Sequence, residues 1–343
     1  MKLSTANGWI WMEKIIFNVL KGIKAGAMEL IQFGAKKSSD DLNQHQESQT
    51  SLKEANTQFI PIDDNPEIVS PKPRAFVTTI PEVRYFQIGD DFGVRKIAYT
   101  ISGDLAGDNI LICLPGLLET KASFSLIHAY FLKFENCQVI SVDFPGRGDS
   151  DYISGYGAYK MSLYLADMSQ LIHEVILGQR NDAQKITILG TSMGGVLAMY
   201  LTQIFGKKIF GVILNDIALT VNWTSLYTLY KSMKNELGFR EIRELAKDLS
   251  VDERAISDVQ LPGHFDLSYR ADVWGMNFHE ALEDFKGKVG LVYGAESKIC
   301  TKQRVEEAKK FIPHMQALQV PNAGHPAPFN MLVCDFIQSQ MGV

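Results

Sequence analysis

Residues 186–200 (ITILGTSMGGVLAMY) restrict the fold more than any other stretch of the chain. A β-branched apolar run leads into Gly190, Ser192 and Gly194, and helix-forming residues follow at once. The pattern predicts a strand, a sharp turn and a helix. Such a turn holds a serine in a strained conformation with its hydroxyl clear of the sheet. Its two flanking positions demand glycine, because a Cβ there would collide with neighbouring backbone. The amides that open the helix point at the same spot, so negative charge developing on a substrate oxygen beside Ser192 would be stabilised. The competing reading is a glycine-rich turn without chemistry, since short Gly-x-Ser-x-Gly matches arise by chance. The apolar strand before it and the helix after it favour a nucleophile.

On both sides of this stretch strand and helix patterns alternate. Strands are predicted at 83–88 and 94–101, joined by a Gly89-Asp90-Asp91 turn, and at 109–114, 138–142, 209–214, 289–293 and 315–320. Helices are predicted at 122–134, 159–177, 302–311 and 328–340, and residues 220–285 form a long helical insertion. This alternation implies an α/β fold with a mostly parallel central sheet flanked by helices. The chain's 343 residues are 46% hydrophobic and 21% charged, enough for a sizeable core in one large domain with an appendage.

The appendage lies at the N-terminus. Residues 9–34 place Trp9, Ile15, Ile16, Val19, Leu20, Ile23, Ala27 and Leu30 on one broad face, an amphipathic pattern assigned to residues 1–37. Glu13, Lys14, Lys21 and Lys24 interrupt any secretory apolar core, and the segment is too charged to span a bilayer comfortably. Two readings stay open: a helix lying on an anionic membrane surface, or one docked on this protein or a partner. Six lysines and two glutamates up to Lys37 give this segment +4, against −5 for the whole chain. Residues 38–82 read as a polar linker and a proline-rich extended lead-in, so the folded body is expected from residue 83.

The overall negative charge gives no general pull toward nucleic acid. Cys113, Cys137, Cys300 and Cys334 show no metal-ligand spacing and fit a reducing cytoplasm, with peripheral contact at the inner face of the membrane if the helix binds lipid. Gly146, Gly148 and Gly155 depart from a dinucleotide-binding spacing, and no cofactor or metal is expected.

Four motifs occur in order: Leu114-Pro115-Gly116-Leu117, then Asp143-Phe144-Pro145-Gly146-Arg147-Gly148-Asp149-Ser150, Gly190-Thr191-Ser192-Met193-Gly194 and Asn322-Ala323-Gly324-His325. Through them residues 83–343 resemble the α/β-hydrolase superfamily. The resemblance implies a core of 83–219 and 286–343 with an inserted helical cap at 220–285. It makes Ser192 the nucleophile and His325 its general base, since a serine hydroxyl attacks poorly until an imidazole takes its proton. It also makes the Leu117 and Met193 amides the oxyanion hole. In the same turn Asp143 is expected to brace by accepting backbone bonds and Arg147 by pairing with a carboxylate.

The acid that completes the set is less direct. The family usually carries an aspartate after the seventh strand, where this chain reads Gly294-Ala295-Glu296-Ser297-Lys298. A lysine there would repel the imidazolium formed in catalysis. Asp216, after the sixth strand, is favoured, with Glu296 as the alternative acid; Asp216 as a plain turn or cap residue also stays open.

The expected activity is hydrolysis of a carboxylic ester through an acyl-enzyme on Ser192. Carbon–carbon bond hydrolysis, or a non-catalytic protein that binds a ligand or partner, are the alternatives. Trp223, Leu226, Tyr227, Tyr230, Phe265, Trp274 and Phe278 in the insertion point to a small apolar or aromatic substrate.

Overall fold

Apolar runs of six or seven residues bounded by turn residues become the central strands. The computed structural model describes residues 78–90, 93–153, 159–177, 184–221, 264–265 and 277–343. The expectations for residues 1–77, and for most of the insertion with its aromatic residues, lie outside the described residues.

The strands are β1 (Thr78–Asp90), β2 (Gly93–Asp104), β3 (Asn109–Leu114), β4 (Cys137–Val142), β5 (Arg147–Gly148), β6 (Lys185–Thr191), β7 (Ile209–Asn215), β8 (His264–Phe265), β9 (Lys288–Gly294) and β10 (Gln316–Val320). The helices are α1 (Ser125–Phe131), α2 (Met161–Leu171), α3 (Met193–Phe205), α4 (His279–Leu282), α5 (Lys302–Phe311) and α6 (Met331–Met341). A 3₁₀ turn at Lys121–Phe124 leads into α1, and a π-helical turn at Ile172–Leu177 continues α2.

Eight strands form one sheet in the order β1-β2-β4-β3-β6-β7-β9-β10. β1 pairs antiparallel with β2, and β2 antiparallel with β4; from β4 to β10 all pairings are parallel. This is the mostly parallel α/β architecture that the alternating pattern predicts.

Both faces of the sheet are covered, so its strands read as continuous apolar runs rather than alternating ones. Leu111, Cys113, Val139, Leu189, Ile213 and Val292 share one core with Phe124, Ile127 and Phe131 beside α1 and with Val333, Cys334 and Ile337 of α6. The intervening residues Ile110, Ile112, Ile188, Val212 and Leu214 are equally buried, and α3 packs against β6 and β7. Each fully buried aliphatic side chain contributes about 1.5–3 kcal/mol.

Some boundaries differ from the expected ones for identifiable reasons. β1 begins at Thr78 rather than 83 and passes through Pro81, with a register shift between Thr79 and Glu82. β1 is an edge strand, where a residue without an N–H is tolerated at a bulge. α6 begins after Asn330, not at Pro328, because the Asn330 side chain accepts from the Val333 amide at 3.0 Å and caps the first turn.

The insertion leaves and returns to the core at one place. Thr220 bridges Asn277, and the Phe278 amide donates to Leu219 O at 2.7 Å. Phe278, expected among the cap's pocket residues, is buried at this junction. α4, within the expected cap range, packs on α3 instead: Thr202 Oγ1 and Gln203 Nε2 donate to the carbonyls of Ala281 and Glu280. Within the insertion, β8 pairs antiparallel with β5, His264 opposite Gly148 and Phe265 opposite Arg147. Among the described residues no helix is long and apolar enough to cross a membrane.

Candidate active site

Ser192 sits between β6 and α3 with φ 47° and ψ −110°, a backbone conformation that L residues rarely adopt. The surrounding chain enforces it. The Ser192 amide donates to Asn215 O at 2.9 Å, and the amides of Gly195 and Val196 return to Ser192 O. A Cβ on Gly190 would lie 2.3 Å from Gly194 O, and one on Gly194 would lie 2.2 Å from Leu114 O. Both glycines are therefore fixed by close backbone approach, as the turn predicts. Met193 opens α3, whose first amides have no intrahelical acceptor.

His325 follows β10 in the loop to α6 and is 9% exposed. Its Nε2 lies 3.1 Å from Ser192 Oγ, across 133 residues of sequence. On the other side of the ring, Nδ1 lies 3.3 Å from Asp216 Oδ2. Asp216 follows β7 directly, with φ 59°, its amide donating to Val292 O of β9 at 2.7 Å. Its carboxylate is fully buried. Burial raises its pKa above the ordinary aspartate value, while His325, the Ser297 hydroxyl and the Gly294 amide draw it back.

Glu296, the alternative acid, is exposed, and its amide ties its loop to Ala323 O at 2.8 Å. Lys298 is also exposed. Ser297 is 7% exposed, and its Oγ accepts from the amides of Ile299 and Cys300 at 3.2 and 3.0 Å. Of the two residues at the place expected for the acid, Ser297 is thus enclosed and Lys298 exposed. Among the described residues Asp216 is the carboxylate that reaches His325.

Leu117 follows the Pro115-Gly116 turn at the end of β3, on the strand next to β6. The turn is braced from below. Arg147, 1% exposed, donates from Nη1 to Gly116 O and from Nη2 to Tyr164 Oη, both at 3.0 Å. Its guanidinium lies 5.5 and 5.2 Å from the Phe144 and Tyr164 ring centroids. Arg147 braces the turn as expected, with bonds that include those to the Gly116 carbonyl and the Tyr164 phenol. Asp143 does accept backbone bonds, from Lys121 and Asp149 at 2.7 and 2.9 Å.

One residue of the site escaped the sequence reading. Glu119 is 3% exposed, and its Oε2 accepts from the Gly116 amide at 2.6 Å. Burial pushes its carboxyl up to about 7, against the pull of the Gly116 amide, His325, the Thr191 hydroxyl and Arg147. The available signal was a single acidic residue directly after the uncharged stretch Ile110–Leu118. His128 is a contrasting case. It is 2% exposed, lies between Ser102 Oγ at 2.6 Å and Ser141 Oγ at 2.8 Å, and is structural.

A half-buried serine, a buried histidine and a buried aspartate beside two backbone turns can activate a hydroxyl and hold an oxyanion. Comparison with known proteins bears on the fold. A family model described as serine aminopeptidase, S33, matches residues 107–263. A hydrolase of Rickettsia typhi superposes with TM-score 0.61 at 22% identity, over 76% of this chain and 99% of the other. The chain has the α/β-hydrolase fold. An α/β-hydrolase of Novosphingobium aromaticivorans superposes with TM-score 0.56 at 20% identity, over 76% and 98% of the two chains. In sequence, the chain is 23% identical over 286 residues to the 3-hydroxybutyrate-oligomer hydrolase of Cupriavidus necator, covering 73% of this chain and 93% of that one.

Proposed function

We propose that the protein is a serine hydrolase that cleaves a carboxylic ester. The carrying observation is the His325 ring held between Ser192 Oγ at 3.1 Å and Asp216 Oδ2 at 3.3 Å. A merely packed histidine has no reason to align with a hydroxyl on a strained turn and a buried carboxylate at once. The likeness to a hydrolase of hydroxybutyrate oligomers supports the ester as the bond cleaved.

In this reading Ser192 Oγ attacks the carbonyl carbon as His325 Nε2 takes its proton. The carbonyl electrons move onto oxygen, which the Leu117 and Met193 amides bind. Collapse of the tetrahedral intermediate expels the alkoxide, which takes the proton from His325 and leaves as an alcohol. Water then attacks the acyl carbon, His325 again accepts and returns the proton, and a carboxylic acid departs. Asp216 keeps the ring in the tautomer with its free nitrogen toward Ser192 and stabilises the imidazolium.

The test is labelling by a fluorophosphonate probe, alongside turnover of a short-chain ester. Labelling that disappears in Ser192→Ala supports the reading. Folded wild-type protein that takes up no probe overturns it.

A further inference from the structure

The peptide unit joining Gly116 to Leu117 has its carbonyl pinned twice, by Arg147 Nη1 at 3.0 Å and by the Glu119 amide at 3.2 Å. A trans peptide is planar, with its C=O and N–H pointing in opposite directions. Holding Gly116 O toward the buried Arg147 therefore aims the Leu117 N–H away from it, the direction that the proposed oxyanion hole requires. The preceding amide, Gly116 N–H, is held by Glu119 Oε2 at 2.6 Å. Two buried ionisable side chains thus grip successive peptides of a single turn.

Glu119 does more than close that turn. Its carboxyl also lies near the Thr191 side chain, one residue before Ser192, and the Thr191 hydroxyl and His325 favour its ionised form. Thr191 Oγ1 in turn lies 3.4 Å from Asn215 Nδ2, which donates to Ala327 O at 3.0 Å, two residues beyond His325. Buried polar groups therefore line the path from the Pro115-Gly116 turn, under the nucleophile, to the histidine loop. The charged groups facing Glu119 are Arg147 from the turn after β4 and His325 from the loop after β10.

We infer that Glu119 is a positioning residue of this site: its ionised carboxylate fixes the Gly116 amide, and with it the Leu117 oxyanion donor, and presents negative charge to His325. The inference rests on the hydrolase reading above. A carboxylate accepts an amide hydrogen bond about twice as strongly as a neutral acceptor does. Protonating Glu119 therefore loosens the turn and removes the charge opposite His325. Since burial places that ionisation at about 7, the site becomes fully organised only as pH rises through neutrality.

The experiment measures the Ser192-dependent rate of fluorophosphonate labelling from pH 5 to 9 in wild type, Glu119→Gln and Glu119→Ala, with thermal midpoints in parallel. Glu119→Ala, lacking any acceptor for Gly116 N–H, is expected to label about tenfold or more slowly at pH 8, below the full cost of losing an oxyanion donor. Glu119→Gln restores the acceptor without the charge, so it recovers part of the rate and its acid limb moves to lower pH. If Glu119→Gln labels with the wild-type rate and pH profile, the positioning role is overturned. It is equally overturned if the variants lose thermal stability while their folded fraction labels normally. Wild type without Ser192-dependent labelling overturns the hydrolase reading itself, and this inference with it.

Discussion

Asp216 and His325 meet at 3.3 Å although one follows β7 and the other follows β10, two strands away in the sheet. Register brings them together. Parallel pairing sets Asn215 opposite Val292 and Val320 opposite Gly294, so the C-terminal ends of β7, β9 and β10 lie side by side and their loops converge on one point. Ligand chemistry in open α/β sheets gathers at those ends.

That convergence makes the acid testable. Asp216→Asn should reduce Ser192-dependent ester turnover by about 10³- to 10⁴-fold, because the ring loses both its orienting partner and its charge. Glu296→Gln, at an exposed position, should leave turnover unchanged. Steady-state kinetics of the two variants on one ester decide the matter, and the reverse pattern would refute the assignment.

Glu119 makes stability depend on pH. Its carboxyl sits at about 7 in the folded protein against an ordinary 4.5, so the folded state holds a proton that the unfolded state has released between those values. Its contribution to stability therefore falls as pH rises from 4.5 to 7, by up to about 3 kcal/mol at about 1.4 kcal/mol per unit. Glu119→Gln should be more stable than wild type at pH 8, and the gap should close toward pH 4. Denaturant titrations at the two pH values measure it.

His128 acts in the opposite direction. Burial lowers its pKa from 6.5 to about 4, so between those values the unfolded state binds the extra proton. Its stabilising contribution is complete above pH 6.5 and is lost as pH falls toward 4, again by up to about 3 kcal/mol. Across the shared window the two groups nearly cancel in the wild type. Glu119→Gln should expose a stability that rises with pH there, and His128→Asn one that falls; parallel slopes in the two variants would refute both assignments.

Arg95 and Asp167 form a buried ion pair that ties β2 to α2, with side chains 3% and 1% exposed. Asp167→Ala should cost about 3–5 kcal/mol, since it removes the charge that compensates a buried guanidinium. The pair Arg84–Glu82, 3.0 Å apart with side chains 37% and 58% exposed, is the control. Glu82→Ala should cost less than about 1 kcal/mol. Thermal or chemical unfolding of both variants distinguishes them.

The turn at Ser192 was legible because its requirements are local. Only glycine tolerates the approach of Gly194 to Leu114 O, and only a strand-to-helix turn gives Ser192 its backbone angles. The sheet was legible because parallel strands covered on both faces read as unbroken apolar runs. The acid was only half legible. Asp216 and Glu296 are both acidic residues just past a strand, and chain order does not say which one faces inward. Their burial does, with Asp216 fully enclosed and Glu296 exposed.

Glu119 went unread, and the burial of Arg147 was not foreseen, for the same reason. A charged residue in a turn ordinarily faces water, and nothing in the local sequence marks either side chain as buried. The sequence by itself determined the strand-turn-helix around Ser192, the alternation that builds the sheet, and the histidine loop after the last strand, because these follow from backbone sterics and hydrophobic period. Tertiary structure alone decided which carboxylate meets His325 and which charges support the Gly116 turn. Those outcomes depend on strand register and desolvation, which arise between segments distant in the chain.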